Sequence, residues 1–247
     1  MTDTAASVLI LGATSDLGRA LAHEYAAAGH ALALAARDTD RLAQDRDDIV
    51  ERHGVRVGIH RLDILDPADD ERLLAALDPL PAITVCVIGL MEPQDELQAD
   101  PRRAERLLQT NFNGPARLLG EIANRCEARG AGSIVGVSSV AGDRGRATNY
   151  AYGAAKAGFS AWLSGLRNRL QGSGVHVMTV KPGFVRTRMT EGMDLPGVLT
   201  ASAGELAGDI RRAQAAGRDV IYRRRIWRLV MLIIRCIPEP VFKRLSL

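Results

Sequence analysis

Tyr152 and Lys156 stand four residues apart in the stretch "ATNYAYGAAKAG", and Ser139 lies thirteen residues ahead of the tyrosine. On a helix, residues at this spacing share a face, with Cβ atoms about 5–6 Å apart. A phenol has a reference pKa of about 10 and is a poor proton carrier at neutral pH. A neighbouring ammonium stabilises the phenolate, and each unit of lowered pKa corresponds to about 1.36 kcal/mol. The pair is therefore suited to general acid–base chemistry. A serine at the end of the preceding strand adds a hydroxyl for a substrate carbonyl. A Tyr-x-x-x-Lys pair alone arises easily by chance; joined to that serine, it is specific. Tyr150 has alanine four residues on, so it lacks the ammonium and reads as pocket wall or surface.

Such groups need elements that present them along one edge. Apolar runs of strand length occur at 8–11, 31–36, 55–60, 83–88, 133–138 and 175–180, with a short one at 220–222. Most are apolar throughout, as parallel strands covered on both faces require. Helical segments at 17–29, 39–53, 67–77, 101–129 and 149–170 alternate with them. Gly29, Gly54, Gly130 and Gly172 follow helices, where a left-handed cap suits glycine. The pattern predicts one doubly wound α/β domain over 1–222, a Rossmann-type fold with a mostly parallel seven-stranded sheet and helices on both faces. A helical tail over 223–247 follows. Ligands of such sheets bind beyond the carboxyl ends of the strands, so each chemical group should follow a strand.

The first run leads into "GATSDLG", residues 12–18. Gly12 permits a sharp turn, Gly18 lets the next helix pack closely, and free N–H groups at the helix start attract phosphate. Thr14, Ser15, Asp16 and Leu17 complete the loop. Asp16 stands where a nucleotide loop often has glycine. Aspartate enters the left-handed region more readily than most residues, and Asp16 or Ser15 can cap the helix. Its charge opposes a pyrophosphate unless the side chain turns away. Arg37, after the second run, suits a ribose 2′-phosphate, where an acidic residue would favour NAD. The plain alternative is a solvated arginine. Asp63, after the third run, is placed either to accept a hydrogen bond from an adenine amino group or to mark the turn before Pro67.

Over nearly its whole length the sequence resembles the short-chain dehydrogenase/reductase family. The matching motifs are the Gly12–Gly18 loop, Asp63-Ile64, Asn111 in "QTNFNGP", Ser139, Tyr152, Lys156 and "KPGFVRT". The resemblance implies that Tyr152 is the general acid/base and that Ser139 orients the carbonyl. Lys156 would lower the tyrosine pKa and bind the nicotinamide ribose, while Asn111 would hold a relay water. Pro182, Gly183, Val185 and Thr187 would line the nicotinamide and pyrophosphate. Two positions depart from the family pattern: the middle loop glycine is Asp16, and "CVIG" after the fourth strand leaves only Gly89 matched. The reading is an NADPH-dependent reductase, NADH being less favoured, that turns a ketone into a secondary alcohol. Two rivals stay open: a reductase of small soluble ketones or steroids, and a non-catalytic NADP(H)-binding sensor. The loop at 186–199 is expected to close over the pocket.

The net charge of +3 conceals an asymmetry, because residues 218–247 carry eight Lys/Arg against two Asp/Glu. The body is slightly acidic, which argues against nucleic-acid binding. In the tail, ten of the twelve residues 226–237 are apolar, and Arg228 and Arg235 lie on one stripe with Arg224. Twelve residues cannot span a bilayer, which takes about 20. Either an interfacial helix on an anionic membrane or a helix in a homodimer or homotetramer interface fits. On a membrane, Trp227, Leu229, Ile233 and Phe242 would be exposed in the protomer. The tail and the "GATSDLG" loop also resemble the family's decaprenylphosphoryl 2-keto-pentose reductase subgroup, which implies a lipid-linked 2-keto sugar as substrate. No secretory signal or metal-ligand spacing is read. Cys86, Cys126 and Cys236 are expected to be buried thiols in a reducing cytoplasm, with the chain cytoplasmic or peripheral on the membrane's cytoplasmic face.

Overall fold

A computed structural model describes residues 7–192, 196–224 and 226–245. The main sheet is built from β1 (Val8–Leu11), β2 (Leu32–Ala36), β3 (Val57–Arg61), β4 (Ile83–Cys86), β5 (Gly132–Val137) and β6 (Val175–Pro182). Two short strands, β7 (Phe184–Arg186) and β8 (Thr200–Ser202), pair with each other, and β9 (Val220–Arg223) closes the main sheet at its edge. The order is β3-β2-β1-β4-β5-β6-β9, with every neighbouring pair parallel. The chain therefore reverses direction across the sheet between β1 and β4, which opens a crevice at their carboxyl ends.

Strands β1, β2 and β4 are wholly buried because helices cover both faces. On one face, Leu21 of α1 (Asp16–Ala27), Leu42 of α2 (Thr39–His53) and Leu206 of α8 (Ala203–Ala215) join one core. On the other, Leu73 of α3 (Pro67–Ala76), Leu118 of α6 (Gly114–Arg129) and Phe159 of α7 (Tyr150–Arg169) form the second. The expected alternation of strand and helix holds, and α8 adds a helix that the apolar pattern did not mark.

One expected helix is broken. Residues 101–129 are α5 (Pro101–Leu108), a π-helical turn at Gln109–Asn113, and then α6. The Gly114 N–H donates to the Gln109 carbonyl across this wider turn. Gly114 lies against the loop after β3, where a Cβ would be 2.5 Å from the Ile64 carbonyl oxygen. The extra residue turns Asn111 inward, fully buried. Such turns recur where a helix must re-aim a side chain. A further short helix, α4 (Gln94–Ala99), ends at Asp100, whose carboxylate accepts the Arg102 N–H at 2.9 Å and caps α5.

The tail forms α9 (Ile226–Cys236) and α10 (Glu239–Phe242), and it corrects the expected exposure of two residues. Trp227 is only 4% exposed: it packs edge-on to Phe184 and donates from Nε1 to the Leu199 carbonyl at 3.0 Å. Gly183 makes this possible, since a Cβ there would collide with the indole. Phe242 lies under the Arg144 guanidinium, 3.7 Å from its ring centre. Arg144 also donates to the Ile234 and Ile237 carbonyls at 2.7 and 2.6 Å, which ties the tail to the loop after β5. Leu229 and Ile233 face outward, 58% and 57% exposed. Cys86 and Cys126 are buried as expected, but Cys236, at the last residue of α9, is exposed. No helix among the described residues is long and apolar enough to cross a membrane.

Candidate active site

Six strand ends, those of β1 to β6, converge on the crevice. After β1, Gly12 takes φ +86°, and a Cβ there would lie 3.1 Å from the Ile88 backbone nitrogen. Ser15 caps α1, its Oγ accepting the Gly18 N–H at 3.0 Å. Gly18 lies directly on the Gly12 carbonyl, so the helix meets the turn backbone to backbone. The Asp16 and Leu17 N–H groups at the helix start have no intrahelical acceptor, and both residues line the space beyond the strand ends. Asp16 does turn away. Its carboxylate accepts the Arg188 N–H at 2.7 Å and Arg188 Nε at 2.9 Å, while Arg188 Nη2 donates to the Thr14 carbonyl at 2.9 Å. The charge that would oppose a pyrophosphate thus carries its own counter-ion, supplied from 172 residues further along the chain.

A cleft of about 290 Å³ runs beside this loop, lined by Gly12, Thr14, Ser15, Arg37, Asp63, Ile64 and Gly89. Arg41 and Arg106, neither of which sequence spacing marked, line it too. Neither Arg37 nor Arg41 forms an ion pair among the described residues. Asp63 serves its turn, Oδ1 accepting the Leu65 N–H at 3.1 Å, and still borders the cleft.

The cleft continues into a cavity of about 390 Å³ lined by Asp16, Leu17, Ser139, Tyr152, Lys156, Pro182, Gly183, Val185 and Thr187. Ser139 caps the 3-10 turn Val140–Gly142 that follows β5, its Oγ accepting the Ala141 N–H at 3.1 Å. That turn lies directly on α7: a Cβ at Gly142 would be 2.6 Å from the Lys156 carbonyl carbon, and one at Gly153 would be 2.9 Å from the Ala141 oxygen. Ser138, which sequence reasoning passed over, adds a buried staple by donating to the Lys156 carbonyl at 2.9 Å. Lys156 is 3% exposed and its Nζ donates to the Val137 carbonyl at 3.2 Å.

Asn111 and Gly18 sit behind the wall rather than on it. Asn111 Nδ2 donates to the Leu90 and Leu107 carbonyls at 2.8 and 2.9 Å, and Oδ1 accepts the Leu90 N–H at 3.1 Å. The amide hydrogens are spent on bracing the chain after β4, next to Gly89, so none is left for a relay water. Tyr150 is exposed, with its hydroxyl 3.3 Å from Gln98 Oε1. Met91, Arg146 and Asn149, which carried no sequence signal, also line the cavity, as does Trp227, which the sequence places on an exposed tail. Of the 186–199 loop, Thr187 to Thr190 line the cavity, while residues 193–195 lie outside the described residues.

Electrostatics differ from the simple pairing expected of Tyr152 and Lys156. Burial pushes the Tyr152 phenol up to about 12, with the Ser139 hydroxyl opposing it. Burial also brings the Lys156 ammonium down to about 8. Lys156 Nζ is 5.8 Å from the Tyr152 ring centre, and the opposition to burial at the phenol comes from Ser139 rather than from this ammonium. At neutral pH the tyrosine keeps its proton and is poised as an acid.

A family profile described as short chain dehydrogenase matches residues 6–195. The chain belongs to that family of oxidoreductases. It is 35% identical over 99% of its length to an uncharacterized oxidoreductase of Mycobacterium tuberculosis, covering 99% of that protein. A sulfoacetaldehyde reductase of Chromohalobacter salexigens is 34% identical across 74% of each chain. Among solved structures, a short-chain dehydrogenase from Sphingobium yanoikuyae in complex with NADPH superposes with a TM-score of 0.83 at 28% identity, over 95% of this chain and 97% of that one.

A pH dependence follows. Lys156 is charged below about 8 and neutral above it, so kcat/KM in the reducing direction should fall as pH rises through that value. A pH–rate profile reads this limb directly; a profile flat through that range contradicts the need for a charged Lys156.

Proposed function

We propose that this chain reduces a ketone to a secondary alcohol with NADPH, Tyr152 supplying the proton. The observation that carries this reading is the convergence of Ser139, Tyr152 and Lys156 on one cavity that opens into the Arg37 cleft. The sites fit the cofactor. The positive φ at Gly12, the capped start of α1 and the close Gly12–Gly18 contact leave room for a pyrophosphate at a helix N-terminus. Arg37 and Arg41 offer unpaired guanidinium groups to a 2′-phosphate, and the related Sphingobium enzyme is described with NADPH bound. When bound, NADPH supplies a hydride to the carbonyl carbon.

The protein's residues do the rest. Ser139 donates a hydrogen bond to the carbonyl oxygen and polarises it. Tyr152 gives its proton to that oxygen as negative charge develops there. Lys156, charged at neutral pH, steadies the tyrosine side of the transfer and is placed to hold the ribose. Asn111 and Gly89 keep the chain after β4 clear of that space. A sensor without catalysis would need none of the three reactive side chains, which disfavours that rival. The lipid-linked 2-keto sugar draws support from α9. Trp227 on its inner side walls the cavity, while Leu229, Leu232 and Ile233 on its outer side are exposed beside Arg228 and Arg235. An exposed apolar face on the helix that also walls the cavity suits an amphiphilic substrate at a membrane surface.

Tyr152→Phe should retain fold and NADPH binding, checked by circular dichroism and cofactor fluorescence, yet lose nearly all turnover in a ketone screen. Ser139→Ala should cost less, since it removes one hydrogen bond worth about 1.5–3 kcal/mol to developing charge rather than the proton donor. Substantial activity in Tyr152→Phe excludes the mechanism.

Arg37→Ala should raise the KM for NADPH and leave that for NADH nearly unchanged. Equal loss with both cofactors would make Arg37 a structural residue.

A further inference from the structure

Arg146 lies in the loop between the turn after β5 and α7, and its side chain lines the same cavity as Ser139 and Tyr152. Its Nε is buried without a hydrogen-bond partner. No carboxylate among the described residues is within ion-pair distance of it. Burial lowers its pKa, with no acidic neighbour to offset the loss of solvent. The side chain as a whole is half-buried, and a cationic donor enclosed without an acceptor is costly, because its desolvation goes uncompensated.

The acids nearby are committed elsewhere. Asp143, three residues before it, accepts from Lys181 Nζ at 2.5 Å and from the Tyr222 hydroxyl at 2.9 Å. Asp16, an acid on the cavity wall, is held by Arg188. Asn149, which also lines the cavity, has a buried Oδ1 with no partner and makes no side-chain cap for α7. A half-turn of that amide presents its N–H₂ instead. Two unsatisfied polar side chains, one of them cationic, therefore face the space where a substrate would meet Tyr152.

We propose that Arg146, assisted by Asn149, is the subsite for an oxyanion on the substrate, so that the preferred ketone carries a phosphate, sulfonate or carboxylate away from its carbonyl. This rests on the reductase reading and narrows its substrate class. A planar guanidinium pairs such oxyanions through two parallel hydrogen bonds, which also fixes which way the carbonyl points. The anion completes a charge that the fold leaves unpaired, and the plain ketone leaves it so. Arg146 binds and orients; it takes no part in proton or hydride transfer.

The test compares dihydroxyacetone phosphate with dihydroxyacetone under NADPH. Wild type should show the higher kcat/KM for the phosphorylated ketone. Arg146→Ala should lower the ratio of the two values by about 10- to 100-fold, as expected for a lost hydrogen bond to a charged group. Arg146→Lys should recover part of it. Arg146→Gln, closer in size, replaces Arg146→Ala if the latter melts early or binds NADP⁺ poorly. Ketone reduction with a ratio that Arg146 variants leave alone overturns the subsite and leaves the reductase standing. If neither ketone is reduced, binding still decides. Calorimetric titration of inorganic phosphate or octyl phosphate into NADP⁺-saturated protein should give an affinity that drops about 10-fold or more in Arg146→Ala. Tighter binding of octyl phosphate than of inorganic phosphate points to a lipid-borne phosphate, and equal binding to a soluble one. No loss of phosphate binding in the variant overturns the proposal.

Discussion

With no side chain at Gly142 or Gly153, the turn after β5 rests on the backbone of α7, and the rest of the site depends on that contact. The sheet fixes where β5 ends, and the turn fixes where Ser139 points. Helix α7 carries Tyr152 and Lys156 on the face that meets the turn. Any Cβ at the contact would part strand end from helix by more than a hydrogen bond tolerates. Ser138 closes the same seam by donating to the Lys156 carbonyl. Three reactive side chains from two elements thereby reach one cavity without help from a flexible loop.

That rigidity sets the electrostatics. A lysine packed at 3% exposure loses water from its ammonium, and the Val137 carbonyl returns one hydrogen bond. The same enclosure holds the phenol in its protonated form. On the cavity wall Asp16 is matched with Arg188, and behind it Asp143 pairs with Lys181 and Arg144 with Glu239. Against this pairing, Arg37, Arg41 and Arg146 stand out as cations turned toward space that a ligand would fill. The tail belongs to this arrangement. It is anchored by Arg144 and places Trp227 over Gly183, so the basic, apolar end of the chain is also a wall of the cavity.

Much of this was legible in the sequence, for local reasons. Strands covered on both faces must be apolar throughout, so β1, β2 and β4 announced themselves. Tyr152 and Lys156 are linked by helical spacing alone. The Gly12–Gly18 loop carries its turn chemistry within seven residues. What escaped depends on contacts between distant positions. The partner of Asp16 is 172 residues away, and no local pattern marks it. The burial of Trp227 needs Gly183 bare and Leu199 in reach. The π-helical turn at Asn111 arises because Gly114 meets the loop after β3, an approach invisible in a segment that otherwise reads as one helix. Nothing in the segment Asp143-Arg144-Gly145-Arg146 sets Arg146 apart from its charged neighbours; its lack of a partner exists only in three dimensions.

The central claim is that a hydride and the Tyr152 proton are delivered to one carbonyl held in the cavity of Ser139 and Lys156. NADPH carrying deuterium at the transferable C4 position tests it most directly, with a prochiral ketone and mass spectrometry of the alcohol. The account predicts one deuterium on the carbinol carbon, a single enantiomer of product, and no labelled alcohol from a Tyr152→Phe protein that still binds NADPH. NADPH oxidation that leaves the alcohol unlabelled, or a racemic product, would contradict it.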